Sequence, residues 1–273
     1  MHIFERCGRA IRHSCFLEQA NWLWDFIRPL YEKILLLLSG NRGIERTING
    51  TDSILIPMQL RSLPEIYEPK AWKCLMGQVR PGDIVADVGA YAGIYTIAFA
   101  RRVGPAGRVF AFEPDPDNFI RLKRIVELNK VSSHVELIRM AVGDKDGTIS
   151  FLTGREEQSH INLSLTGKTP TARCVSLDTF FNHQRLDILK VDVEGFEEDV
   201  LKGGADILCD SRRSPRCILI EAHPCLWSAL GKNGESLINL IRRYKYKIWS
   251  LDGQFVKMPD WLGWIICTKS AGR

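Results

Sequence analysis

The stretch Asp87-Val88-Gly89-Ala90-Tyr91-Ala92-Gly93 joins an apolar run, Ile84 to Val88, to a helical pattern. A loop of this kind at the C-terminal end of a strand is where open α/β sheets bind ligands. Gly89 permits a tight turn with close backbone approach, and Gly93 lets the following helix pack against the loop. A dinucleotide loop needs G-x-G-x-x-G, whose middle glycine clears a pyrophosphate. Here the spacing is G-x-x-x-G, so that glycine is missing. Asp87 would also repel a pyrophosphate. It suits a cationic amino group, such as the one on the methionine part of S-adenosylmethionine. Glu113 ends the next apolar run, and Pro114 stops it. A carboxylate there accepts hydrogen bonds from both hydroxyls of a ribose and rejects a phosphorylated one. Read alone, Glu113 is equally a charge at a helix N-terminus. Asp87, Gly89, Gly93 and Glu113 together favour the cofactor.

A second constellation lies further along. Asp192 and Glu194 close another apolar run, and Glu221 and His223 close the one after it, with Pro224 next. Side chains two apart share a face of a strand. If the strand persists to Glu194, its two carboxylates point one way, beside the glycine loop. Four ionisable groups are thus expected at one sheet edge. A hydroxyl nucleophile must be aligned and must lose its proton. His223 has a fitting ordinary pKa of about 6.5. Asp192 either orients the methionine amino group or holds the acceptor hydroxyl. Three other readings stand beside this one. His223 caps its strand, Glu194 caps the helix near Phe196, or Asp192, Glu194 and Glu221 bind Mg²⁺.

These residues need a parallel sheet to bring them together. From Asp83 onward, strand and helix patterns alternate: Ile84–Val88, a helix to Arg102, Arg108–Glu113, a helix over 118–129, and Val135–Val142. That order predicts a parallel α/β sheet. Thr148 to Thr153 alternates like an exposed strand, and 154–172 reads as a polar loop over one face. Alternation resumes at Leu186–Val193 and Cys217–Glu221, and ends with strands at Lys247–Leu251 and Trp264–Thr268. Residues 1–60 differ. Phe16, Ala20, Leu23, Ile27, Leu30, Ile34 and Leu38 recur at helical spacing, with Pro29 as a kink. Residues 1–60 are expected to be a helical extension and 61–273 the catalytic domain. The extension packs on the domain, or serves as a lid, a dimer face or a membrane-surface helix. Ile54-Leu55-Ile56 reads as a short strand.

Asp87 to Thr96, Glu113-Pro114-Asp115, Leu177-Asp178, Leu189-Lys190-Val191-Asp192-Val193-Glu194-Gly195 and Val200-Leu201-Lys202-Gly203 together resemble the FkbM-type S-adenosylmethionine-dependent methyltransferases. The resemblance covers about residues 67 to 224. It implies a Rossmann-like, seven-strand class I methyltransferase sheet, mostly parallel with the last strand antiparallel. It also implies O-methylation of a hydroxyl on a sugar, glycolipid or polyketide-like product. Asp87, Gly89, Ala90, Tyr91 and Gly93 would line the methionine end, Glu113 and Pro114 the ribose, and Asp192 the amino group. Met140-Ala141 stands where the family meets the adenine ring. Met140 replaces a more usual polar residue there, which leaves apolar and backbone contact.

Composition agrees with an enzyme of this size. The chain has 273 residues, 45% apolar and 25% charged, which excludes fibrous and disordered classes. Its net charge of +5 is spread along the chain and needs no nucleic acid to explain it. Methylation of an amine or a nucleic acid base ranks lower, because Asp192-Val193-Glu194-Gly195 stands where such enzymes carry [Asn/Asp]-Pro-Pro-aromatic. A non-catalytic cofactor-binding scaffold is the third reading. Eight cysteines without C-x-x-C spacing fit a reduced, cytoplasmic compartment. The longest aliphatic run, Ile34 to Leu38, is far short of the roughly 20 residues of a membrane span. A small-molecule or glycan acceptor is the expected partner.

Overall fold

The computed structural model describes Leu30 and residues 42–150, 171–257 and 263–269. The chain divides between Glu65 and Ile66 into two compact units.

In the first unit, β1 (Ile44–Ile48) and β2 (Asp52–Ile56) form an antiparallel hairpin in which Ile48 lies opposite Asp52. Its turn holds Asn49 at φ 50° and Gly50 at φ 70°. Asn-Gly between alternating apolar runs favours such a turn, because both residues tolerate positive φ. A 3-10 turn, Met58–Leu60, follows. This part of the expected helical extension is therefore a hairpin. The strand read at Ile54–Ile56 is its second arm. The helical stripe from Phe16 to Leu38 lies, apart from Leu30, outside the described residues.

The second unit opens with α1 (Pro69–Met76), which has Pro at its first turn and buries Trp72, Leu75 and Met76. Then come β3 (Ile84–Val88), α2 (Ile94–Val103), β4 (Arg108–Phe112), α3 (Pro116–Leu128) and β5 (Val135–Ile138). The expected third strand, Val135 to Val142, breaks at Arg139-Met140. Its last two residues, β6 (Ala141–Val142), join a separate three-stranded sheet with β7 (Gly147–Ser150) and β8 (Thr171–Val175). α4 (Leu177–Phe181), β9 (Ile188–Val191), α5 (Glu197–Lys202) and α6 (Ala205–Cys209) continue the chain. β10 (Cys217–Ala222), α7 (Pro224–Ala229), α8 (Gly234–Arg243), β11 (Lys247–Ser250) and β12 (Gly263–Thr268) complete it.

The main sheet has the order β11-β12-β10-β9-β3-β4-β5. β10, β9, β3, β4 and β5 run parallel, and β12 runs antiparallel between β10 and β11. This is the seven-strand, mostly parallel arrangement with the last strand reversed. Its inner strands carry apolar runs because helices cover both faces. The order reverses between β3 and β9, which come far apart in the chain. Open α/β sheets bind ligands at such a switch point, outside the strands' C-terminal ends, and the glycine loop and Asp192 lie there. Among the described residues, no helix is long and apolar enough to cross a membrane.

Candidate active site

The glycine loop is held by the ends of the strands on either side. The Gly89 and Ala90 amides donate to the Phe112 carbonyl at 3.1 and 2.9 Å. Gly89 has φ +78°, and a Cβ there would lie 1.7 Å from the Asp192 carbonyl oxygen. Gly93, at φ +90°, begins α2, and a Cβ there would press on Leu122 and Ile125 of α3. Both glycines are thus required by the packing of the protein itself. The loop leaves Tyr91 40% exposed, with φ 50°.

Glu113 lies just past β4 and is buried. Its Oε2 accepts from the Tyr91 amide at 2.8 Å and its Oε1 from the Asp115 amide at 2.9 Å. A carboxylate offers about four acceptor positions, so further donors can still be taken. Burial pushes its pKa up to about 7, against the pull of those two amides. Pro114 follows it, with Asp115 capping α3 through the Asp117 and Asn118 amides. Met140 packs, half-buried, on the sheet core, and Ala141 is buried in β6.

Asp87 differs from the expectation. Its side chain is fully buried, where a free carboxylate facing a ligand was expected. Its Oδ2 accepts from the Thr96 hydroxyl at 2.6 Å, and its Oδ1 lies 3.5 Å from Lys190 Nζ. Lys190 is the residue that strand patterning overlooked. It sits 2% exposed inside β9, where all four residues are buried. Its ammonium also lies 3.3 Å from Asp192 Oδ2, donates to the Gly89 carbonyl at 3.2 Å, and faces the rings of Tyr95 and Trp264 at 5.2 and 5.7 Å. Burial alone would lower its pKa, but Asp192, Asp87 and Glu68 hold it above the usual lysine value. A lysine inside an otherwise apolar run was the available signal, since a buried cation needs anionic partners.

The strand-end cluster forms by a different route from the one the spacing implied. β9 ends at Val191, and Glu194 takes φ 48° ahead of Gly195 at φ 98°. The chain turns there, so Asp192 and Glu194 do not share a strand face. Asp192, Glu221 and His223 nevertheless converge, each offering a ligand atom within 4.8 Å of the others. The candidate cation set is therefore two carboxylates and an imidazole, with His223 in the place given to Glu194. Glu194 stands nearby with its carboxylate at the surface, and its pKa is raised by partial desolvation and by Asp192 and Glu197, against the pull of His223. Burial and the neighbouring Asp192 push Glu221 up to about 8.

His223 heads α7 and is buried. Its Nδ1 lies 2.7 Å from Oε1 of Glu197, which is fully buried. Burial lowers the imidazole pKa, but Glu197, Glu221 and Asp192 together raise it above 6.5. Two more residues went unnoticed in the sequence. Tyr67 has its hydroxyl pKa raised by burial and by Glu68, Asp192, Glu221 and Tyr91. Glu68 accepts from the Tyr95 hydroxyl at 2.9 Å. Both belong to the segment leading into α1, where no motif marks them.

Strand order, a glycine loop at the switch point and a buried carboxylate after the next strand define a Rossmann-like domain of the class I methyltransferase type. The chain belongs to the methyltransferase FkbM domain family, whose domain matches residues 87–248. It is 28% identical over 159 residues to the hexuronic acid methyltransferase AglP of Haloferax volcanii, covering 55% of this chain and 60% of that protein. It is 24% identical over 207 residues to the 2-O-methyltransferase NoeI of Sinorhizobium fredii, covering 67% of this chain and 78% of that one. A crystal structure of methyltransferase FkbM from Methylobacillus flagellatus aligns at TM-score 0.47 and 17% identity, over 72% of this chain and 50% of that chain. The chain thus spans less than two thirds of the first of these relatives.

Proposed function

We propose that the protein is an S-adenosylmethionine-dependent O-methyltransferase acting on a hydroxyl of a sugar, glycolipid or polyketide-like molecule. The observation that carries this is the convergence of Asp192, Glu221 and His223 beside the glycine loop at the sheet's C-terminal edge. The names of the relatives support it, since one acts on a hexuronic acid and another is a 2-O-methyltransferase.

The residues present fit the methyl donor. Glu113 is a buried carboxylate with acceptor positions left over and no bonded cation among the described residues. It therefore suits the two hydroxyls of a ribose and not a phosphate. Tyr91 and the loop backbone line the neighbouring edge, with Met140 and Ala141 on the far side of β4. Asp192, 27% exposed and paired with Lys190, presents its other oxygen to an ammonium or to the acceptor. Once bound, the cofactor supplies a methyl group on a positively charged sulfur, which is already electrophilic.

The chain's own work is to hold and deprotonate the acceptor. Glu221 and Asp192 accept hydrogen bonds from acceptor hydroxyls and orient one of them. Nδ1 of His223 is committed to Glu197, so Nε2 is the nitrogen that takes the hydroxyl proton. Lys190 offsets part of the negative charge gathered there. His223→Ala tests the assignment, with methyl transfer to a panel of neutral sugars measured between pH 5 and 9. Transfer by the parent should rise with pH through the elevated His223 pKa and level off above it. The variant should lose about 10²–10⁴-fold, the usual contribution of a general base. An unchanged rate in His223→Ala would sink the base assignment.

A further inference from the structure

We propose that Glu197 is a positioning residue that fixes the tautomer and ring orientation of His223, with Trp227 as its second anchor. The inference rests on the reading of His223 as the base.

Glu197 is fully buried, and a buried carboxylate is sustained only by surrounding donors. Three are present. Oε1 accepts from the Gly195 amide at 2.9 Å and from His223 Nδ1 at 2.7 Å, while Oε2 accepts from Trp227 Nε1 at 2.6 Å. Both oxygens are engaged and the side chain is 0% exposed, so Glu197 is enclosed by the protein and does not contact substrate. Among the described residues, the ion pair that Glu197 makes is with His223, while Lys232 pairs with Asp199. The positive charge that Glu197 can stabilise is therefore the imidazolium formed when His223 takes a proton.

The backbone explains how Glu197 reaches this place. Glu194 and Gly195 reverse the chain after β9, and a side chain on Gly195 would meet Leu230 and Leu226 at about 3 Å. That turn sets Glu197 at the start of α5. His223 and Trp227 are one helical turn apart at the start of α7, so their N–H groups lie on one side of that helix. A single carboxylate thus clamps two donors from α7 to the turn after β9. With Nδ1–H held in this way, the neutral ring keeps its lone pair on Nε2. The acidic groups around the ring are Glu197, Glu221, Asp192 and Glu194. Among the described residues, Glu197 is the one hydrogen-bonded to it.

The test is nitrogen NMR of the full chain carrying ¹⁵N-histidine, with the His223 signals assigned by their loss in His223→Asn. The parent should show a protonated Nδ1 and a bare Nε2 above the ring's pKa. In Glu197→Gln the pKa should fall by about one unit or more, a tenfold loss of proton affinity, with a mixed tautomer. The acidic limb of kcat/KM should move by the same amount. Glu197→Asp should restore the parent tautomer. Trp227→Phe should lower kcat without moving the limb. Should Glu197→Gln fail to fold, Glu197→Asp and Trp227→Phe still read the tautomer. An unchanged tautomer and pKa in folded Glu197→Gln would overturn the proposal, as would a limb that moves equally in Trp227→Phe. If the NMR changes occur while His223→Asn keeps full transfer, the positioning stands and the base reading falls.

Discussion

Replacing Lys190 by methionine keeps the length of the side chain and removes its charge. The ammonium is 2% exposed and lies between Asp87, fully buried at 3.5 Å, and Asp192, 27% exposed at 3.3 Å. Without it, Asp87 retains, among the described residues, only the Thr96 hydroxyl. Removing one partner of a buried ion pair strands the other, at a cost of roughly 3–5 kcal/mol. Loss of the contact to Asp192 adds little, because that group reaches solvent. For a domain of this size each kcal/mol lowers Tm by about 2–4 °C, so Lys190→Met should melt roughly 6–20 °C below the parent. Asp87→Asn added to Lys190→Met keeps an acceptor for Thr96 and removes the stranded charge. The double variant should recover about half or more of the loss. Urea unfolding of the parent, both single variants and the double gives the coupling directly. A single-variant loss under about 1 kcal/mol, or strict additivity, would refute the view of Lys190 as the counter-charge of Asp87.

Three further predictions follow from the same geometry. Burial raises Glu113 from 4.5 to about 7, so the folded chain holds a proton there that the unfolded chain has lost. That contribution to stability is complete below pH 4.5 and disappears as pH rises through 7. Ribose hydroxyls favour the ionised form, so S-adenosylmethionine should release close to one proton on binding at pH 6 and bind about tenfold more weakly per unit below pH 7. Calorimetry in buffers of different ionisation heat checks this, and Glu113→Gln should abolish the release. Gly89→Ala forces a Cβ against the Asp192 carbonyl and should destabilise by more than about 3 kcal/mol. Gly82→Ala, at φ +81° with open space around it, should cost only about 1–2 kcal/mol. Finally, chelation with EDTA should leave methyl transfer unchanged if Nε2 of His223 is the base. Loss on chelation, with recovery in Mg²⁺, would assign Asp192, Glu221 and His223 to a cation instead.

The sheet could be read from the sequence because strand and helix patterns alternate from Asp83 to Val142 and again from Leu186 to Thr268. Ile84–Val88, Arg108–Phe112 and Cys217–Ala222 are apolar runs that bury both faces. The break at Arg139-Met140 was hidden because Leu137-Ile138 before Arg139 and Met140-Ala141-Val142 after it are all apolar. The Asn49-Gly50 hairpin was signalled locally but lay beside a longer helical stripe that drew the whole segment into one reading. In the site, the strand-end positions of Asp192, Glu221 and His223 were visible. Spacing along a strand could not reveal that the chain turns at Glu194-Gly195. Nor could it reveal that Asp87 faces Lys190. Glu197 is one of three acids in the first turn of α5, the usual place for an acid, so nothing in the sequence singles it out. Only tertiary folding brings His223 and Trp227 to it.

The most direct test of the account is single-turnover transfer from methyl-labelled S-adenosylmethionine to a neutral sugar acceptor, with the product's labelled bond identified by NMR. The account predicts a methyl ether on a hydroxyl oxygen, formed by the parent and sharply reduced in His223→Ala while cofactor affinity is kept. A label on nitrogen, or cofactor binding with no transfer to any hydroxyl acceptor, would contradict it.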